Sequence, residues 1–279
     1  MSKLKRIITN LIIYILLVLG AVIMCFPFYY MIVTSLKESA YIFTVPPQLI
    51  PEPATLNNYV SVWTKADFKL YFWNSVKITI PAVLLNVFLS SLTAYGFARF
   101  RFPAKELWFS ILIATLAVPG LLLTIPQFDM VRRVKFLMDN PFTIILTSGI
   151  GSVAFNAFFL RGFFEGIPIE LEEAAELDGC NAFRTYWKVA LPMARPALAT
   201  LVILSFLGVW DDYFWPSLIL RERSQWTLPI GILGFRAQHS VQWHLLFAGT
   251  MIAILPVLVI YITFQKYFVK TVAEGGLKL

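Results

Sequence analysis

The chain has 279 residues, 58% of them hydrophobic and only 14% charged, against roughly 25% charged in an ordinary soluble domain. That leaves too little polar surface to cover a water-soluble fold. The net charge of +7 is not a nucleic-acid signature, because the basic residues fall in short clusters between apolar runs, as in loops held against anionic lipid headgroups.

Lys3, Lys5 and Arg6 precede an apolar stretch from Ile7 to about Val33. It exceeds the roughly 7–15 residues of a signal-peptide core, and no small-x-small cleavage site comes after it, so it reads as an uncleaved first span. In all, six stretches reach the roughly 20 residues needed to cross the hydrocarbon core: 10–33, 74–98, 107–126, 141–160, 197–219 and 245–268. Lipid offers no partner to peptide groups, so each is expected to be helical. Pro141 and Pro196 suit helix starts, where the missing N–H costs nothing. Pro27, Pro81, Pro119, Pro216 and Pro256 should kink the spans in or near which they fall.

Between the first two spans, the segment from Lys37 to about Trp73 carries Pro46, Pro47, Pro51 and Pro53 and reads as an extended external loop. Gln127–Asn140 mixes apolar side chains with charges and reads as a short interfacial helix. Ser90, Ala94 and Ala98, and later Gly249 and Ala253, recur at four-residue spacing and mark faces for close helix packing. An even number of spans places both termini on one side. The balance of Lys and Arg mildly favours the cytoplasm, although Arg132, Arg133 and Lys135 then fall outside.

The loop 161–196 is the most informative. Pro168 suits a helix start, and Glu170, Glu172 and Glu173 place negative charge at the positive end of its dipole. Gly179 is placed to end the helix in a left-handed conformation. Asn181 can cap a second short helix carrying Phe183, Tyr186 and Trp187 on one side. Pro192 and Pro196 lead into the next span. The prediction is a helix–turn–helix with a small-residue shelf at Ala174 and Ala175. Such an element suits docking of a partner in the helix-in-groove manner; the alternative is an autonomous structural cap.

Span five carries Trp210, Asp211, Asp212, Tyr213 and Trp215. Counted from Pro196, Asp211 lies about 22 Å along the helix at about 1.5 Å per residue. Carboxylates at such depth face a cavity, pair, or mark a pathway, so Trp210, Asp211, Asp212 and Trp215 are candidates to line a solute path. The competing reading makes Asp211 or Asp212 the cap of a helix break before Pro216. Asn86 and Gln127 are further pathway candidates. No phosphate-binding G-x-x-x-x-G-K-[ST], H-E-x-x-H, G-x-S-x-G or paired cysteines occur. His239 and His244 read as interfacial residues rather than metal ligands. Cys25 lies in an apolar run and Cys180 in a polar loop, so no disulfide is expected. Catalysis on this chain is not expected, nor a metal or cofactor.

Glu173-Ala174-Ala175, three residues, Gly179, nine residues, Val189, one residue, Leu191-Pro192 resembles the EAA signature of binding-protein-dependent ABC importer permeases, with Val189 for the usual Ile. The resemblance extends over nearly the whole chain to the carbohydrate-uptake permeases of the maltose-transporter second-subunit type. Ala94-Tyr95-Gly96-Phe97-Ala98-Arg99, Val118-Pro119-Gly120, Trp210–Pro216 and Gln265–Val269 carry it. Val134–Asn140 and the tail Ala273–Gly276 depart from the usual pattern.

The resemblance implies an all-α, six-span permease of a bacterial or archaeal inner membrane with both termini cytoplasmic, a single domain over 1–279, and a coupling loop over 161–196. It implies contact with ATPase subunits through Glu173, Ala174, Ala175, Gly179, Leu191 and Pro192. It also implies a second homologous permease, two cytosolic ATPase subunits that hold ATP and Mg, and an extracytoplasmic solute-binding protein delivering a sugar. The rival expectations are an ion-gradient-driven secondary transporter, which should bury charges in several spans, and a non-transporting membrane scaffold.

Overall fold

The computed structural model describes residues 3–38, 48–65, 67–235 and 241–276. Among them the regular structure is helical, apart from isolated bridge positions at Val241 and at the antiparallel pair Lys37 and Ala54. The helices are α1 (Lys3–Ser35), α2 (Asn57–Lys65), α3 (Phe68–Arg99), α4 (Lys105–Ala114), α5 (Gly120–Arg133), α6 (Pro141–Gly151) and α7 (Val153–Glu165). They continue with α8 (Ile169–Leu177), α9 (Ala182–Thr185), α10 (Leu191–Met193), α11 (Arg195–Trp210), α12 (Phe214–Ile219), α13 (Leu228–Leu233) and α14 (Trp243–Gly276).

Among the described residues, four helical stretches are long and apolar enough to cross a membrane: Lys5–Ser35, Phe68–Arg99, Arg195–Ile219 and Trp243–Tyr267. Two bent pairs raise the number to 6 if each is one span. The first pair, Lys105–Ala117 with Gly120–Arg133, bends by 96°. Pro119 causes the break: its ring drives Val118 out of the helical region, to φ −85° and ψ 117°, and it offers no N–H to the preceding turn. The second pair bends by 41° between Gly151 and Val153.

The structure alters two sequence expectations here. The segment from Lys37 to about Trp73 is not an extended loop throughout: it carries α2, and α3 begins at Phe68, six residues before the expected start of the span at 74. Gln127–Arg133 is not a separate interfacial helix but the end of α5. The helix restarts at Gly120, directly after the proline, and its apolar first turns carry the polar residues with them. It stops at Arg133, and the chain turns before Asn140 caps α6 by accepting from the Phe142 N–H at 2.9 Å.

The chain forms two compact units. One comprises 1–69 and 231–254. Within it, Asn58 donates to the carbonyls of Ser35 and Lys37, closing the end of α1. Gly249 lies so close to Phe68 that a Cβ there would meet the ring at 3.0 Å, as expected of a small-residue face. The apolar α1 is exposed along nearly its whole length. The external-loop positions 39–47 and 66, with Pro46 and Pro47, lie outside the described residues, as does His239.

The other unit comprises 70–230 and 255–279. Its main core gathers Ala94, Tyr95, Ala157, Leu160, Phe164, Tyr186, Ala190, Ala194, Ala197 and Leu201, with Ala98 packed against it. Ser90 and Ala94 are fully buried, so the small-residue stripe of α3 is the face that α7 and α11 meet.

Candidate functional site

The segment after α7 forms an elbow whose two arms are set by local chemistry. Pro168 precedes α8 in an extended conformation, and Glu170 and Glu172 occupy its first turn. At the other end Gly179 has φ +84°. Its N–H donates to Glu176 O and the Cys180 N–H to Ala175 O, both at 2.9 Å. This pair of bonds is the Schellman closure, which needs a residue that tolerates a left-handed backbone. No atom lies within 4 Å of a Cβ built on Gly179, so backbone conformation, not space, requires glycine there. The Asn181 side chain accepts from the Arg184 N–H at 2.9 Å and starts α9.

The second arm does not end at α9. It passes through a π-helical turn, Tyr186–Ala190, into α10 and α11. Pro192 lacks the N–H that would have bonded Lys188 O, and the wider turn absorbs the defect. Tyr186 is buried while Phe183 and Trp187 stay largely exposed, the three rings packing on one another.

The elbow is fastened to α3 at both arms. Glu172 is 4% exposed. Its carboxylate accepts from Arg99 Nε at 2.7 Å and from the Tyr95 hydroxyl at 2.9 Å. A terminal nitrogen of Arg99 donates to Ile167 O at 2.7 Å. On the second arm, the Tyr186 hydroxyl and Ser91 Oγ share a buried hydrogen bond of 2.7 Å. Burial raises the Tyr186 phenol above its ordinary range, so the group stays protonated at neutral pH. With Glu172 turned inward, Glu173, Ala174 and Gly179 are exposed, as is the apolar tip Leu177 at 91%. Ala175, Leu191 and Pro192 are half-buried, and Leu191 packs against the main core.

A second polar site lies between α3, the α6–α7 break and α11. Asn86 is fully buried and donates to Gly149 O at 3.0 Å and Ser152 Oγ at 2.9 Å. Its carbonyl oxygen accepts from Asn156 Nδ2 at 2.6 Å and from Ser205 Oγ at 3.1 Å. A Cβ on Gly149 would meet Leu85 at 2.8 Å; the bare glycine lets α3 approach the break. Beside this cluster opens a cavity of about 560 Å³, whose wall includes Ser148, Ser152, Phe155, Asn156 and Ser205. A second cavity of about 400 Å³ is lined by Gln127, Met130, Thr147 and Ile150 among others.

The structure thus separates the predicted pathway residues. Asn86 sits in the polar cluster. Trp210 is buried, stacked on Phe206 at 5.4 Å between centroids. Asp211 ends α11, and Asp212 Oδ1 accepts from the Trp215 N–H at 3.3 Å. The capping reading therefore describes Asp212. Trp215 donates its indole N–H to Thr147 at 2.9 Å. Sequence reasoning missed Asn156, Ser152 and Ser205. It also missed the pairing of Glu172 with Arg99 and Tyr95, although Arg99 closes a long apolar helix and Glu172 stands among three glutamates. Among the described residues no cluster of His, Cys, Asp and Glu is arranged to hold a metal ion, and Cys25 and Cys180 are free.

Residues 86–274 match the model of the binding-protein-dependent transport system inner membrane component family. The chain belongs to that family. It is 32% identical over 262 residues to the diacetylchitobiose uptake system permease protein NgcG of Streptomyces coelicolor, covering 93% of this chain and 86% of that one. It is 33% identical over 268 residues to a probable starch degradation products transport system permease protein of Thermoanaerobacterium thermosulfurigenes, covering 95% and 97%. In structure it resembles a chain of a bacterial ABC transporter involved in the import of the acidic polysaccharide alginate, with TM-score 0.83, 26% identity and coverage of 96% and 99%. As a member of the family it is a multi-pass inner-membrane component of a transport system. The family match takes in the whole elbow and the whole Asn86 cluster.

Proposed function

We propose that the chain is one of two permease subunits of an ATP-driven importer of sugars or related hydroxylated solutes. Each bent helix pair counts as one span, giving six, with both termini and the elbow in the cytoplasm. The exposed face of the elbow, Glu173, Ala174, Gly179 and the tip Leu177, docks into a cytosolic ATPase subunit, which holds the ATP and Mg. Two such subunits, a second permease and an external solute-binding protein complete the assembly.

One observation carries this reading. The elbow turns its buried acid, Glu172, onto its own chain and leaves Glu173 and an apolar tip facing outward, an arrangement suited to a groove on another protein. The family's dependence on a binding protein supports an external delivery partner. Relatives named for diacetylchitobiose, arabinooligosaccharides and starch degradation products support a carbohydrate cargo. The amide and hydroxyl groups of Asn156, Ser148, Ser152 and Ser205, beside the larger cavity, suit the hydroxyls of such a solute. Transport proceeds by alternating access, the spans rocking about this site when the ATPases close.

The test is uptake of labelled oligosaccharide by vesicles containing the whole transporter. Glu173→Lys should abolish ATP-coupled uptake. Uptake at the unmodified rate in that variant would refute the docking face, and uptake that survives ATP depletion but collapses with an ionophore would refute ATP drive.

A further inference from the structure

α3 connects the two sites that the proposed function uses. Its end holds the elbow through Arg99, Tyr95 and Ser91, and its middle holds the polar cluster through Asn86. The proline of α3 is Pro81, which precedes Asn86, so the stretch from Asn86 to Arg99 is uninterrupted helix of about 20 Å at about 1.5 Å per residue. At the elbow end the contact is polar, buried and directional. The side chains of Arg99 and Glu172 are 11% and 6% exposed, and the guanidinium reaches the carboxylate and Ile167 O through separate nitrogens.

A buried ion pair is weak evidence of stability, since apolar replacements of similar volume often fold as well. What it fixes is geometry. Arg99 and Tyr95 together hold the α8 arm by three bonds, and Ser91 holds the other arm by one. At the opposite end, Asn86 grips the carbonyl of Gly149 where the α6–α7 span breaks, and through Asn156 and Ser205 it reaches α7 and α11.

We propose that Arg99, Tyr95 and Glu172 are positioning residues that join the elbow rigidly to α3, making α3 the strut through which elbow displacement reaches the Asn86 cluster. The inference rests on the docking reading. Arg99 and Tyr95 need touch neither solute nor ATPase. Their task is to prevent the elbow from pivoting against its own spans when the partner pushes it.

The experiment uses the complete transporter in proteoliposomes and reads solute moved per ATP hydrolysed, a ratio that does not depend on how much complex is folded. The double variant R99M/E172L replaces the pair with apolar groups. It should assemble with the ATPase subunits and melt near the parent temperature, while the ratio falls about tenfold, within the range of long-range coupling effects. A parental ratio in the assembled double variant overturns the strut. If the double variant does not assemble, Arg99→Lys decides: it keeps the charge but cannot reach both Glu172 and Ile167 O. A lowered ratio at normal assembly supports the strut, and an unchanged one overturns it. Should the parent chain itself co-purify with no ATPase, the docking reading falls instead.

Discussion

At Gly179 a single backbone angle, φ +84°, decides the shape of the elbow. Any side chain with a Cβ incurs roughly 1–2 kcal/mol in that conformation, so Gly179→Ala should loosen the turn by that amount. Hydrogen exchange at the amides of Gly179 and Cys180 checks it. Removing the carboxylate partner is costlier: Glu172→Ala would leave Arg99 buried without a counter-charge, a loss of about 3–5 kcal/mol read as a lowered melting temperature of the purified complex. Asn86→Leu removes the side-chain donor to Gly149 O and leaves the Asn156 amide only its 3.4 Å contact with Ser205, at a cost of about 1–3 kcal/mol, and should lower both stability and uptake. The Tyr186 phenol, raised by burial, binds its proton more tightly in the folded chain. Its contribution is therefore complete below the ordinary phenol value of about 10 and is lost as pH rises above that. Exchange protection of α9 should fall across that alkaline window and hold in Tyr186→Phe.

Among elements, proline accounts for one helix break but not for the 41° bend between Gly151 and Val153, where none stands. Pro119 produces a 96° bend with Val118 driven extended, whereas Pro27, Pro81 and Pro256 remain inside continuous helices. Pro119→Ala should straighten the α4–α5 pair, lengthening the distance between spin labels at Lys105 and Met130. The four long apolar helices and the two capped helices of the elbow were legible in the sequence because length, hydropathy and capping chemistry are local. The Asn86 cluster was not, because Asn156 and Ser205 look like ordinary polar residues of apolar helices until packing brings them within 3.4 Å. For the same reason Glu172 and Glu173 could not be told apart by composition. Only the helical phase against α3 shows that Glu172 faces in and Glu173 out. Asp211 and Asp212 drew attention as buried charges, and the helix break at Trp210 accounts for Asp212 as a cap.

At the scale of the whole molecule, the central claim is that the elbow's outward face meets a separate ATPase. The most direct measurement is site-specific crosslinking of Leu177→Cys in the assembled transporter, with cysteines placed singly across the ATPase surface. Leu177 is 91% exposed and lies at the tip of α8, so substitution there leaves the elbow's internal bonds intact. The account predicts a crosslink to the ATPase whose yield changes when nucleotide binds. Modification of the introduced thiol by a membrane-impermeant reagent added outside intact cells, with no crosslink to the ATPase, would contradict it.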